Sequence, residues 1–247
     1  MSTARTATAL WLGVRQHART PVLLGLLVGL PAYMLVTFGL LVPDSPVPLS
    51  LPGGGSITAS LAAVYVAMLT PMVAGLLAGI AGLFVMRATR EADARLVIAG
   101  YRPREVLAAR VGLLGVVGLV VTAVCVAATA VTPLAPAALP LFVAAALVAA
   151  LLYGSLGVLA GLLFDRLAGV YLVLFGTMLD MFLFQNPLVE DPAAVAPYLP
   201  GYGPVRGAVA AAFAASPDPW LLLPGLAYLA AVAAVALAAF YRSTRPA

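Results

Sequence analysis

Side chains able to do chemistry are sparse in this chain, and their types exclude several kinds of site. His17 is its single histidine and Cys125 its single cysteine. A buried Ser-His pair, a multi-histidine metal site, an internal disulfide and a cage of cysteine ligands are therefore ruled out. Cys125 lies inside an apolar run and reads as a small buried hydrophobe. Gly154-Ser155 would suit a membrane-embedded serine nucleophile, but no histidine accompanies it, so Ser155 reads as a residue of close helix packing. There is no GxxxxGK[ST] and no lysine to complete one, so the chain cannot hold ATP by a P-loop. By itself it reads as no enzyme, with no catalytic residue, metal or cofactor of its own.

Two polar features remain. Asp180 is the one ionisable residue within the long apolar runs, near the end of the run 167–184. Ionisable groups in such places mark ion or proton paths. The favoured reading is a solvated carboxylate at the membrane interface; the sharper one is a polar contact in an outward-facing vestibule. The second feature is the segment 87–110, RATREADARLVIAGYRPREVLAAR. Here Glu91, Asp93, Arg95, Arg102, Arg104, Glu105 and Arg110 alternate with Leu96, Val97, Ile98, Val106 and Leu107. Gly100-Tyr101-Arg102-Pro103 should break it into two helical pieces. Glu91 and Arg95, four apart, are oriented for a helix-surface ion pair, worth about 0.2–0.5 kcal/mol. Pro103 suits the first turn of the second piece, with Glu105 near its positive end. An exposed pair of helices carrying both apolar and charged residues suits docking of another protein; the alternative is a loop resting on the membrane.

The elements that must position these residues follow from composition. The chain has 247 residues, 64% hydrophobic and 9% charged, against about 45–50% and about 25% in soluble domains. The bilayer is then its solvent. All thirteen Lys/Arg residues are arginine, and twelve fall in alternate gaps between apolar runs. Arg5, Arg15 and Arg19 precede the first run, Arg87 to Arg110 follow the second, Arg166 the fourth, and Arg242 and Arg245 the last; only Arg206 lies elsewhere. Because cytoplasmic loops carry the basic excess, an all-α membrane protein with six spans and both termini inside is expected. The net charge of +4 sits at membrane edges and is no nucleic-acid signal.

The spans are expected near Val22–Val42, Ile57–Met86, Val111–Val131, Leu139–Phe164, Leu167–Phe184 and Trp220–Tyr241, forming one transmembrane domain over 1–247. Pro31 should kink the first. The second exceeds what the bilayer needs and should tilt, break near Thr70–Pro71, or project beyond it. Gly75, Gly79 and Gly82 give it a small-residue face, read as packing within the subunit, with a dimer face as the less favoured alternative. Residues 8–20, in the lead 1–20, read as an amphipathic helix in the interface plane. The first apolar run is longer than the roughly 7–15 residues of a signal core, so no cleaved signal is expected. Residues 43–56 should be a Pro/Gly loop. Residues 185–219 are too apolar for a simple outer loop; VRGAVAAAFAA reads as one short helix, re-entrant or lying at the surface.

Taken together, six spans, an amphipathic lead, a charged element between spans two and three and an apolar outer segment between five and six resemble an ABC-2 type transporter permease. Leu96-Val97-Ile98-Ala99-Gly100 followed by Arg104-Glu105-Val106-Leu107-Ala108-Ala109-Arg110 is similar to that family's run entering span three, and Pro200-Gly201-Tyr202-Gly203-Pro204 to the turn of its outer segment. The family's Gly-Thr-Leu after the acidic residue is replaced by Glu91-Ala92-Asp93, and its Thr-Pro by Ala99-Gly100. The resemblance implies a multi-pass protein of a prokaryotic cell membrane, exporting a hydrophobic or amphipathic substrate. It implies two partners besides lipid: a second permease copy, identical or homologous, and a separate ATP-binding cassette ATPase holding ATP and Mg. Glu91, Asp93, Arg95, Arg102, Pro103, Arg104 and Glu105 would form the coupling element seated on that ATPase. The other reading is a non-transporting membrane scaffold or assembly factor whose charged loop docks a different protein.

Overall fold

The computed structural model describes residues 25–52, 54–98, 103–189 and 191–243, with the backbone alone at 26, 88–98, 103–108 and 240–243. The expected amphipathic lead at 8–20 lies outside the described residues.

The architecture is all-α with one small hairpin. A π-helical turn, Gly25–Gly29, leads into α1 (Leu30–Leu41). Strands β1 (Pro46–Ser50) and β2 (Ser56–Ser60) follow, then α2 (Leu61–Ile98), α3 (Pro103–Thr129), α4 (Leu139–Leu163) and α5 (Arg166–Thr177). A π-helical extension, Met178–Phe184, continues α5. The short α6 (Tyr202–Phe213) and α7 (Leu223–Ser243) complete the chain. Five stretches are long and apolar enough to cross a membrane: Leu61–Arg87, Ala109–Thr129, Leu139–Leu163, Arg166–Phe184 and Pro219–Ala239. The described apolar part of the first expected span, Leu27–Leu41, is shorter. Pro31 stands at the start of α1, where the π-helical turn gives way to α-helix.

Two expectations are corrected by the hairpin. Residues 43–56 are not wholly loop, and span two does not begin at Ile57. Val47, Leu49 and Ile57 alternate with small polar or proline residues, a period of two that suits a strand. β1 and β2 pair antiparallel from Pro46↔Ser60 to Ser50↔Ser56. Gly54 and Gly55 close the turn at φ +99° and +90°, a region that only glycine enters cheaply. Leu49 is fully buried, so the hairpin is packed onto the bundle.

α2 is the central helix. Of its most apolar stretch 89% is buried inside the protein, against 61% for α4, 39% for α3, 28% for α5 and 17% for α7. The expected break at Thr70–Pro71 does not occur: Pro71 lies inside a continuous helix, and the Thr70 hydroxyl donates back to Val66 O at 2.7 Å. Neighbouring helices enclose this stretch, a setting in which helices tolerate proline. The extra length goes instead into the extension past Arg87.

Glycines set the distance between α2 and α4. A Cβ on Gly157 would overlap the carbonyl of Gly79, and one on Gly82 that of Gly154. On Gly161 it would lie 2.9 Å from Leu83 O, and on Gly79 3.1 Å from Tyr153 O. The small-residue face read from Gly75, Gly79 and Gly82 therefore packs within the subunit. Helices in lipid gain little from the hydrophobic effect, so close approach and dispersion must hold them.

One end of the bundle collects arginine. Arg87 of α2 donates to Phe164 O at the end of α4, and the Arg166 guanidinium lies 5.1 Å from the Phe84 ring centroid. Asp165 caps α5 by accepting from Ala168 N at 2.8 Å. The β-hairpin and the described residues of 185–219 are at the opposite end. α6, 12 residues long, covers about 18 Å of the roughly 30 Å hydrocarbon thickness. It is buried in the protein, with Ala208, Ala210 and Ala211 fully enclosed. Its last carbonyls are met by the turn before α4: Ala138 N donates to Ala211 O at 2.8 Å and Ala137 N to Ala212 O at 3.2 Å. A helix end inside apolar surroundings needs such partners.

Candidate functional site

The most organised polar cluster centres on Asp180. It is buried, 6% exposed, which corrects the favoured reading of a solvated interfacial carboxylate. The sequence could not show this, because the groups covering Asp180 come from distant parts of the chain. Its Oδ2 accepts from the Tyr153 hydroxyl of α4 and from Gly201 N, at the turn into α6, at 2.8 Å. Its Oδ1 accepts a longer bond, 3.4 Å, from Gln185 Nε2. Gln185 also donates through Nε2 to Ala196 O at 2.9 Å. Asp180 thus ties α4 and α5 to the Gly201 end of the 196–201 turn, and Gln185 holds its Ala196 end.

Backbone geometry prepares this position. Asp180 lies in the π-helical part of α5, where Gln185 N donates to Asp180 O at 3.1 Å, one residue further along than an α-helix allows. Such wider turns recur at functional sites. Gly201 is required sterically, since a Cβ there would lie 2.8 Å from Asp180 Oδ1 and 2.7 Å from Met181 Cγ. Thr177, a turn earlier, is 1% exposed, and its Oγ1 has no hydrogen-bond partner among the described residues.

Asp180, Tyr153 and Thr177 line an open groove of about 360 Å³ between α4 and α5. Leu156, Ala160, Leu172 and Val173 form its walls. It is apolar along its length and polar at one end, a form that fits amphipathic molecules. Ser155 is outside this groove, and its hydroxyl donates to Leu151 O of its own helix at 2.8 Å. Cys125 is buried and unpaired, as a small hydrophobe would be.

The sequence pointed to Asp180 but missed Tyr153, Gln185, Gly201 and Thr177. Tyr153 is a lone phenol in a long apolar run, and Gln185 is the first amide after another. Nothing local links either to a residue more than one turn away.

The described residues of 87–110 occupy the opposite, arginine-rich end. Glu91, Asp93 and Arg95 fall on the extension of α2, and Pro103, Arg104 and Glu105 on the first turn of α3. The break expected at 100–103 falls on residues outside the described ones except for Pro103; α2 is described to Ile98 and α3 from Pro103. Arg102, with the rest of 99–102, lies outside the described residues, as do the side chains of the other six and the Glu91–Arg95 pair.

No family model and no curated protein matches the chain. The fold defines the class: an all-α, multi-helix protein built for embedding in a membrane.

Proposed function

We propose that the chain is the membrane-spanning subunit of an ATP-driven, ABC-2 type transporter that exports a hydrophobic or amphipathic substrate from a prokaryotic cell. The helical stretch described from Gly25 to Leu41 belongs to the sixth span, both termini are cytoplasmic, and the arginine-rich end faces the cytoplasm. Two copies pair in the membrane, and each receives a separate ATP-binding subunit.

The observation that carries this reading is the form of the α2–α3 connection. α2 continues without interruption from Arg87, where its apolar stretch ends, to Ile98, and α3 begins at Pro103, ahead of its apolar stretch at Ala109. The charged residues therefore stand on helical extensions of adjacent membrane helices, one of them the most buried in the protein. A partner that moves these extensions acts directly on the centre of the bundle. Coupling requires that ATPase contacts differ between its open and closed states. The groove between α4 and α5, ending at Asp180, offers a path for an amphipathic substrate.

Arg95 and Glu105 test the assignment. With both replaced by alanine, the protein should still insert and fold, but an ATP-binding subunit should no longer co-purify in mild detergent, and ATP-dependent transport should fall at least tenfold. A double variant that binds and couples like wild type would place the interface elsewhere. If the wild-type protein recovers no ATPase in any of several mild detergents, the permease reading fails and the scaffold reading takes its place.

A further inference from the structure

A second cavity, of about 320 Å³, lies across the 196–201 turn from Asp180. The end of β1, the chain after α5 and one face of α6 enclose it. Gln185 lines it while reaching Asp180 with its amide, so the cavity and the α4–α5 groove share a wall. Among its described lining residues Arg206 is the only charged one. This is also the single arginine that breaks the alternate-gap pattern of the sequence.

Arg206 is held ready. Its Nη1 donates to the Tyr202 hydroxyl at 2.8 Å, and its guanidinium carbon lies 4.9 Å from the Tyr202 ring centroid. Tyr202 is one helical turn earlier on α6, so backbone and ring together fix the guanidinium. This takes one of the five N–H donors of an arginine. Among the described residues no carboxylate pairs with the others; Asp191 is exposed, and Glu190 lies outside the described residues. A half-buried cation with no counter-charge among the described residues favours an incoming anion, and the planar fork suits the paired oxygens of a carboxylate or phosphate. Phe184, Val205 and Val209 give the same cavity an apolar wall.

We propose that this cavity binds an amphipathic organic anion, with its carboxylate or phosphate head on Arg206 and its hydrocarbon part against Phe184, Val205 and Val209. As a substrate site it rests on the transporter reading; as a binding site it does not. The test therefore omits the ATPase and transport.

Native mass spectrometry of the protein in neutral detergent measures binding directly, with dodecyl phosphate as the probe. Wild type should hold one molecule, Arg206→Gln should weaken binding at least tenfold, and Arg206→Lys, which keeps charge but loses the fork, should fall between. Dodecanol and inorganic phosphate should each bind at least tenfold more weakly than dodecyl phosphate. Displacement by phosphatidylglycerol but not phosphatidylcholine would identify the anion as a membrane lipid; resistance to both would identify a free amphiphile. Equal binding by Arg206→Gln overturns the proposal, as does equal binding of dodecanol or of inorganic phosphate. If Arg206→Gln does not fold, Arg206→Lys and the comparison of probes on wild type decide the matter alone.

Discussion

Replacing Asp180 with alanine should destabilise the protein by about 3–5 kcal/mol, because it strands buried donors that have no other acceptor. The Tyr153 hydroxyl and Gly201 N both rely on Oδ2, whereas Gln185 keeps Ala196 O. Asparagine separates two roles for the carboxylate. With its amide oxygen in place of Oδ2 it retains the bonds from Tyr153 and Gly201, and Gln185 gives up only its long contact. If Asp180 chiefly holds the 196–201 turn against α4 and α5, Asp180→Asn should stay within about 1 kcal/mol of wild type and keep its activity. If the charge itself is needed, Asp180→Asn should fold normally and be inactive. Unfolding by sodium dodecyl sulfate in mixed micelles measures the first quantity, and the second, under the proposed transporter function, is read as substrate efflux from vesicles. Equal stability of Asp180→Ala and wild type would show that the cluster holds nothing together.

Gly157→Ala should be worse than its size suggests. The added methyl would meet the backbone carbonyl of Gly79 rather than a side chain that can rotate away, so α2 and α4 must separate along the whole seam. Overpacking usually costs about 1–3 kcal/mol, and a rigid backbone obstacle in the most buried helix pair belongs at or above the upper end. Gly115→Ala on α3 is the matched control, since a Cβ there meets nothing within 4 Å. It should be neutral or stabilise by roughly 0.5–1 kcal/mol through helix propensity. Thermal inactivation followed by gel filtration in detergent would order the three proteins. A Gly157→Ala protein as stable as Gly115→Ala would show that the seam tolerates a wider spacing.

What the sequence discloses about this fold depends on the range over which its signals act. Hydropathy runs locate the apolar helices because membrane burial is decided residue by residue over some twenty positions. Pro103 suits a first helical turn for an equally local reason, a fixed φ and an absent N–H. The packing face of α2 is also legible, because Gly75 and Gly79 are four apart and must share a side. The hairpin was readable but obscured: Val47, Leu49 and Ile57 alternate, yet three prolines and a glycine run resemble a loop more strongly. The environment of Asp180 was not legible at all. Tyr153 and Gly201 reach it only through the packing of α4, α5 and α6, and a π-helical turn leaves no periodic trace in seven residues. Arg206 had a faint signal, as the exception to a charge pattern, but its stacking on Tyr202 needed the helix register to be known.

The enclosure of α2 also bears on how the protein is made. Apart from α1 and the hairpin, every element that covers this helix follows it in the chain. While synthesis has reached only α3, the glycine face of α2 has hydrocarbon where the backbone of α4 will later stand. Insertion and maturation are therefore separate events for this helix. It can take its place in the bilayer early, but it acquires its final neighbours only when residues 139–213 have emerged. In a chain that ends before Leu139, the glycine face of α2 lacks the helix whose backbone it is shaped to meet.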